Sequence, residues 1–215
     1  MNNLKTKNTT YSASFTTATG GLFLREISAL LPLLVSPDHK ELLANEIREN
    51  RVLQINAQST RNKVVNEINK RLSFAFPDFL DVFEFSPKPE KALLLFYLAL
   101  KSEQLLYDFH FDVTIPAWKG SNRVFDPFKY NMKMDEIGNK DYSVREWAES
   151  TRKQILKIYK RMLKEAGFLK EDILIKPVFR EGFFYPFIQN KELWFLEACF
   201  LSQTEREKVI IDHKG

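Results

Sequence analysis

Along this chain the apolar residues recur mostly at steps of three and four, the spacing that gathers them on one face of a helix, and only briefly at the alternating spacing of a strand. From Thr151 to Ala166 the positions Thr151, Ile155, Ile158, Met162 and Ala166 mark such a face, flanked by Tyr159 and Leu163. Ser143 to Glu149 predicts a shorter helix before it. Ser143 and Ser150 are the expected N-caps, because a hydroxyl accepts from an orphan first-turn amide, and Gly167 suits the left-handed position after the helix end. Ile173-Leu174-Ile175, followed by Lys176-Pro177-Val178, predicts one or two short strands where a winged helix-turn-helix carries its wing.

Upstream, Ser36-Pro37-Asp38 opens a helix to about Asn50 with Leu42, Leu43 and Ile47 inward, and Ser59 opens another over Thr60 to Leu72 with Val64, Val65, Ile68 and Leu72 inward. Phe74 to Phe85 is a phenylalanine-dense connection broken by Pro77. Glu90 to Phe109 predicts the central buried helix, since Ala92 to Leu100 is apolar on every side. Asp108, His110 and Asp112 alternate with Phe109, Phe111 and Val113, the pattern of an extended segment at a domain edge. The aromatic run from Phe179 to Phe200 reads as core, and Ser202-Gln203-Thr204-Glu205 as the capping box of a last helix.

These elements predict a mainly α protein, a helical bundle with a C-terminal winged helix-turn-helix-like unit. Residues 1–10 are a polar, mobile tail, residues 11–114 an N-terminal helical domain and residues 115–215 the winged-helix-like domain. The boundary is placed at the irregular passage from Ile115-Pro116 to Gly120-Ser121-Asn122.

Charge adds a surface to this picture. The net charge of +4 on 215 residues is too mild to announce a nucleic-acid binder, so distribution matters more than the sum. Lys153, Lys157, Lys160, Arg161 and Lys164, with Arg152 at the edge, cluster on the face of the long helix opposite its apolar side. Arg61, Lys63, Lys70 and Arg71 form a weaker basic set on the helix from Thr60 to Leu72. Such stripes contact phosphate backbones, and they are also the ordinary solvated faces of surface helices.

Candidate chemistry is sparse. No phosphate loop, His-Glu-x-x-His pair, nucleophile elbow or cysteine-pair motif occurs, and the single Cys199 fits a reducing cytoplasm. Asp108, His110 and Asp112 at period two make a poor metal cage. The small-residue approach from Tyr11 to Gly21 could hold a phosphate on free amides or simply cap the following helix. No apolar run reaches the roughly 20 residues needed to span a bilayer, and Met1 to Thr10 lacks the apolar core of a signal peptide. A non-catalytic protein without cofactor or metal is the expectation.

Two segments also carry a resemblance. Tyr11-Ser12-Ala13-Ser14-Phe15 through Gly20-Gly21-Leu22 to Arg25-Glu26, and Ser150-Thr151-Arg152-Lys153 through Met162 to Leu169 and on to Pro177, resemble the BrxA family, the small accessory proteins of BREX (bacteriophage exclusion) defence systems. The resemblance implies a mostly helical fold similar to the NusB antitermination protein. It further implies nucleic-acid binding beside a site-specific DNA methyltransferase, an ATPase and a phosphatase-like protein, with no chemistry of its own. Double-stranded DNA is the expected ligand, although the sequence does not separate DNA from RNA. The alternative is an adaptor that docks other defence components without touching nucleic acid. The aromatic segment after Pro177 lies outside the family pattern.

Overall fold

The computed structural model describes residues 7–16 and 20–213. Helices α1 (Leu24–Leu34), α2 (His39–Glu49), α3 (Gln58–Leu72) and α4 (Phe79–Phe85) lead into α5 (Lys88–Ser102). That helix is buried without interruption from Ala92 to Ser102, as its all-round apolar sequence requires. It has to be covered on every side, and the remaining elements cover it.

The central helix stops earlier than its composition predicts. At Glu103 the backbone turns extended (φ −129°, ψ 104°), and α6 (Gln104–Asp108) starts a new helix. Glu103 is buried and its carboxylate receives the Lys70 ammonium, so the break carries a paired and not a bare acid. From Phe109 to Thr114 the chain forms a π-helical segment, not the expected extended one, and it passes directly into α7 (Ile115–Lys119). The irregular passage is therefore shorter than predicted. Helix α8 (Pro127–Gly138), α9 (Tyr142–Arg145) and α10 (Glu149–Glu165) follow. Strands β1 (Leu169–Lys170) and β2 (Ile173–Leu174) pair antiparallel, Leu169 with Leu174, and Val124 bridges to Ile173.

The C-terminal aromatic run forms α11 (Tyr185–Gln189) and α12 (Trp194–Ala198) and lies against α5. Phe187 and Phe195 meet the Tyr97 ring edge-on at 5.2 and 5.3 Å, and Trp194 stacks on it at 5.5 Å. Two ion pairs stitch the same contact: buried Lys101 to Glu192, and Arg180 to buried Glu90 at 3.0 Å. Buried apolar side chains from Phe15 to Leu201 make one contiguous cluster, with members on both sides of residue 115. The last helix, α13 (Gln203–Asp212), opens with the predicted capping box and buries none of its side chains.

Several boundaries moved for local reasons. Asp141 caps α9 by accepting from the Ser143 amide at 2.9 Å, so Ser143 is a helical residue and not the cap. Ala148 stands at the N-cap of α10 and Ser150 lies inside the first turn. Ser36 to Asp38 forms a turn that precedes α2, and Ala57 occupies the N-cap of α3 ahead of Ser59. At the chain's start, Asn8 is docked: its amide donates to the Lys101 carbonyl at 3.0 Å and its side chain to Ser102 at 2.9 Å. This part of the expected tail is therefore bonded to α5, and residues 1–6 of it lie outside the described residues.

Candidate nucleic-acid interface

Helix α10 ends as its sequence predicts. The Phe168 amide donates to the Leu163 carbonyl and the Gly167 amide to Lys164, the paired bonds of a Schellman cap, with Gly167 at φ +79°. Ile155, Ile158, Tyr159, Met162 and Leu163 are buried. Beneath them a chain of polar groups pins the helix. His110 Nε2 lies 2.8 Å from the Ala198 carbonyl, which can only accept, so Nε2 carries the proton and Nδ1 accepts from the Tyr159 hydroxyl at 3.0 Å. The Thr114 hydroxyl donates to the Phe109 carbonyl at 3.1 Å and lies 2.7 Å from the Tyr159 hydroxyl and 2.9 Å from that of Tyr130. Burial lowers the His110 pKa to about 4, despite the opposing bond to Ala198, and keeps the ring neutral. One polar network thereby ties α8, the π segment, α10 and α12.

The outward face carries the predicted stripe. Lys153, Lys157, Arg161 and Lys164 are exposed, while Arg152 and Lys160 are partly covered. Lys153 pairs with Glu149, Lys160 with Asp172, Arg161 with Glu165 and Arg152 with Asp135. Among the described residues no ion pair engages Lys157 or Lys164. Exposed pairs of this kind contribute little to stability, so their lysines exchange a carboxylate for a phosphate at little cost.

The second basic set does not hold. Arg61 and Arg71 on α3 are buried, at 6% and 1% exposure. Arg61 donates to the carbonyls of Ile47, Ile55 and Asn56 and so closes the loop between α2 and α3. Arg71 donates to Glu67 at 2.9 Å and to the Gly21 carbonyl at 2.8 Å. Lys70 is taken by Glu103, and of the four only Lys63 is exposed.

The glycine-rich approach to α1 turns out to be a joint with α10. The Glu165 carboxylate accepts from the Leu22 amide at 2.7 Å, occupying the place where a phosphate would have sat, and Arg161 donates to the Gly20 carbonyl. Gly20 and Gly21 have φ of +65° and +103° and lie flat against Ile158 and Arg161. Thr17 to Thr19 of that approach lie outside the described residues. The suggested ligand trio also separates: Asp108 accepts from Tyr11 at 2.7 Å, His110 is buried in the network above, and Asp112 pairs with Lys133 at 2.8 Å.

These features define a small, mainly helical protein with one continuous core that holds a cationic helix as a rigid outer face. The BrxA family model matches residues 9–185, and the chain belongs to the BrxA family. It is thereby a protein associated with BREX phage defence. The fold is shared with the crystal structure of an uncharacterized protein from Magnetospirillum magneticum, at 20% identity and a TM-score of 0.70, over 88% of this chain and 97% of that one. No curated protein matches the chain. No described helix is long and apolar enough to cross a membrane.

Proposed function

We propose that this chain is a non-catalytic, nucleic-acid-binding component of a BREX system, that double-stranded DNA is its ligand, and that α10 holds the phosphate backbone. It acts beside the methyltransferase, ATPase and phosphatase-like proteins of the system. The observation that supports this reading is the row of Lys153, Lys157 and Lys164, exposed on a helix whose inner face is locked by the Tyr159–His110–Thr114 network. A rigid cationic face meets phosphates without first having to be ordered.

If about four α10 cations meet phosphates, counterion release assigns this helix a slope of roughly −3.6 in log affinity against log salt. Titration of duplex DNA at several salt concentrations measures it. Replacing Lys153, Lys157 and Lys164 with Glu should remove most binding and leave the helical circular dichroism spectrum intact. The adaptor reading has its own supporting observation, since Phe128 and Met132, one turn apart on α8, are 67% and 56% exposed. A folded triple variant that binds DNA like the parent but loses a BREX partner in a pull-down would favour that reading over ours.

A further inference from the structure

A cleft of about 710 Å³ opens beside α10, floored by Phe23 and Leu24 and walled by Arg25, Lys88, Lys91 and Arg161. Four cations thus converge from three helices far apart in sequence. The two acids of the lining, Glu26 and Glu165, pair with Arg25 and Arg161, so the net positive charge of the cleft rests on Lys88 and Lys91. Glu165 receives the Leu22 amide and Arg161, and Glu26 receives Arg25 at 3.5 Å. Glu90, which lies between the two lysines in the first turn of α5, is turned inward at 3% exposure and held by Arg180 through both carboxylate oxygens. Lys88 is exposed and has no ion pair among the described residues, and the Lys91 ammonium lies over the face of the Phe83 ring, 5.2 Å from its centroid. Two lysines in a helix's first turn oppose its dipole, and the one acid of that turn, Glu90, faces inward and not into the cleft.

Resting on the reading of α10 as a phosphate-binding face, we infer that this cleft is a second phosphodiester-backbone site, and that a bound nucleic acid runs from the α10 stripe past Arg161 onto Lys88 and Lys91. The shared Arg161 makes the two surfaces continuous. Each added phosphate contact steepens the salt dependence by about 0.9, so the two α5 lysines contribute roughly −1.8 to the parent's slope.

The test compares the parent, Lys88→Gln/Lys91→Gln, and Lys153→Glu/Lys157→Glu/Lys164→Glu in titrations of one duplex DNA between about 50 and 200 mM salt, the range over which such contacts are read. For the α5 double variant the slope should become shallower by roughly 1.8, so that its affinity loss across this range is about tenfold smaller than the parent's. Lys88→Gln alone, at an exposed position that leaves the core untouched, should give about half that change in slope. An unchanged slope in both α5 variants, with binding lost in the α10 variant, overturns the cleft and leaves the α10 reading standing. Failure of the parent to bind overturns both. Binding lost in the α5 variant but kept in the α10 variant supports the cleft and removes the assignment to α10.

Discussion

Gly20 and Gly21 show how much can rest on the absence of a side chain. A Cβ at Gly20 would come within 2.6 Å of the buried Ile158, and both residues hold positive φ. Gly21→Ala should therefore destabilise the protein by about 1–3 kcal/mol, read as a lower midpoint in chemical denaturation, because it strains the backbone and pushes Arg161 off the Gly20 carbonyl. His110 sets a different dependence. Its folded pKa of about 4 lies below the ordinary value of 6.5, so the unfolded chain binds the extra proton first. The resulting stability is fully present above pH 6.5 and is lost as pH falls toward 4, by roughly 3 kcal/mol in all. Denaturation midpoints of the parent and His110→Gln, followed from pH 7 to 4.5, should converge on acidification. Parallel curves would show that the histidine does not drive the loss.

At the scale of the element, α3 shows what the sequence conceals and what it offered. Arg61 stands four residues before Val65, and Arg71 three after Ile68, so the helical period itself places both arginines on the buried stripe. Residue type argued for water, and position argued for the core. Position won because carbonyls of the loop before α3 and of Gly21 supply acceptors that no reading of α3 alone could reveal, with Glu67 one turn back on the same helix taking Arg71 as well. Arg61→Ala should cost about 2–3 kcal/mol in denaturant unfolding, since it strands those carbonyls. Where folded it should leave the salt slope of DNA binding unchanged. For α10 the sequence was far more informative: the apolar face, the stripe and the Gly167 terminus were all legible, because each depends on residues within a turn or two. The ion pairs to Asp135 and Asp172 were not, because their partners come from α8 and the hairpin. The π segment was hidden for a related reason. Alternating acids and aromatics suit a strand, and the contacts that hold the segment, of Thr114 with Tyr130 and Tyr159 and of His110 with Ala198, reach residues distant in sequence.

At the scale of the whole molecule, the match to the BrxA family ends at Tyr185, yet the core does not. Removing residues 186–215 would take away Glu192, the carboxylate that pairs with the Lys101 ammonium beside Tyr97. It would also orphan the Nε2 proton of His110, whose acceptor is the Ala198 carbonyl, and strip Phe187, Trp194 and Phe195 from Tyr97. Each large apolar side chain lost from the core costs about 1.5–3 kcal/mol. The loss of Phe187, Trp194 and Phe195 together is thus comparable to the 5–15 kcal/mol that typically holds a domain folded. A chain ending at Tyr185 should therefore retain helical far-ultraviolet dichroism at most, with no near-ultraviolet signal and no cooperative unfolding transition. A chain ending at Gln203 should behave differently. It lacks α13 beyond Gln203, a helix that fully buries no side chain and is joined to the rest by the surface pairs of Glu205 with Lys176 and Arg206 with Glu197 and by the partly buried Val209 and Ile210. It should unfold cooperatively at a modestly lower midpoint. A sharp transition in the shorter chain would show that the family-matched region closes its own core, and that the aromatic segment is an addition to the fold and not part of it.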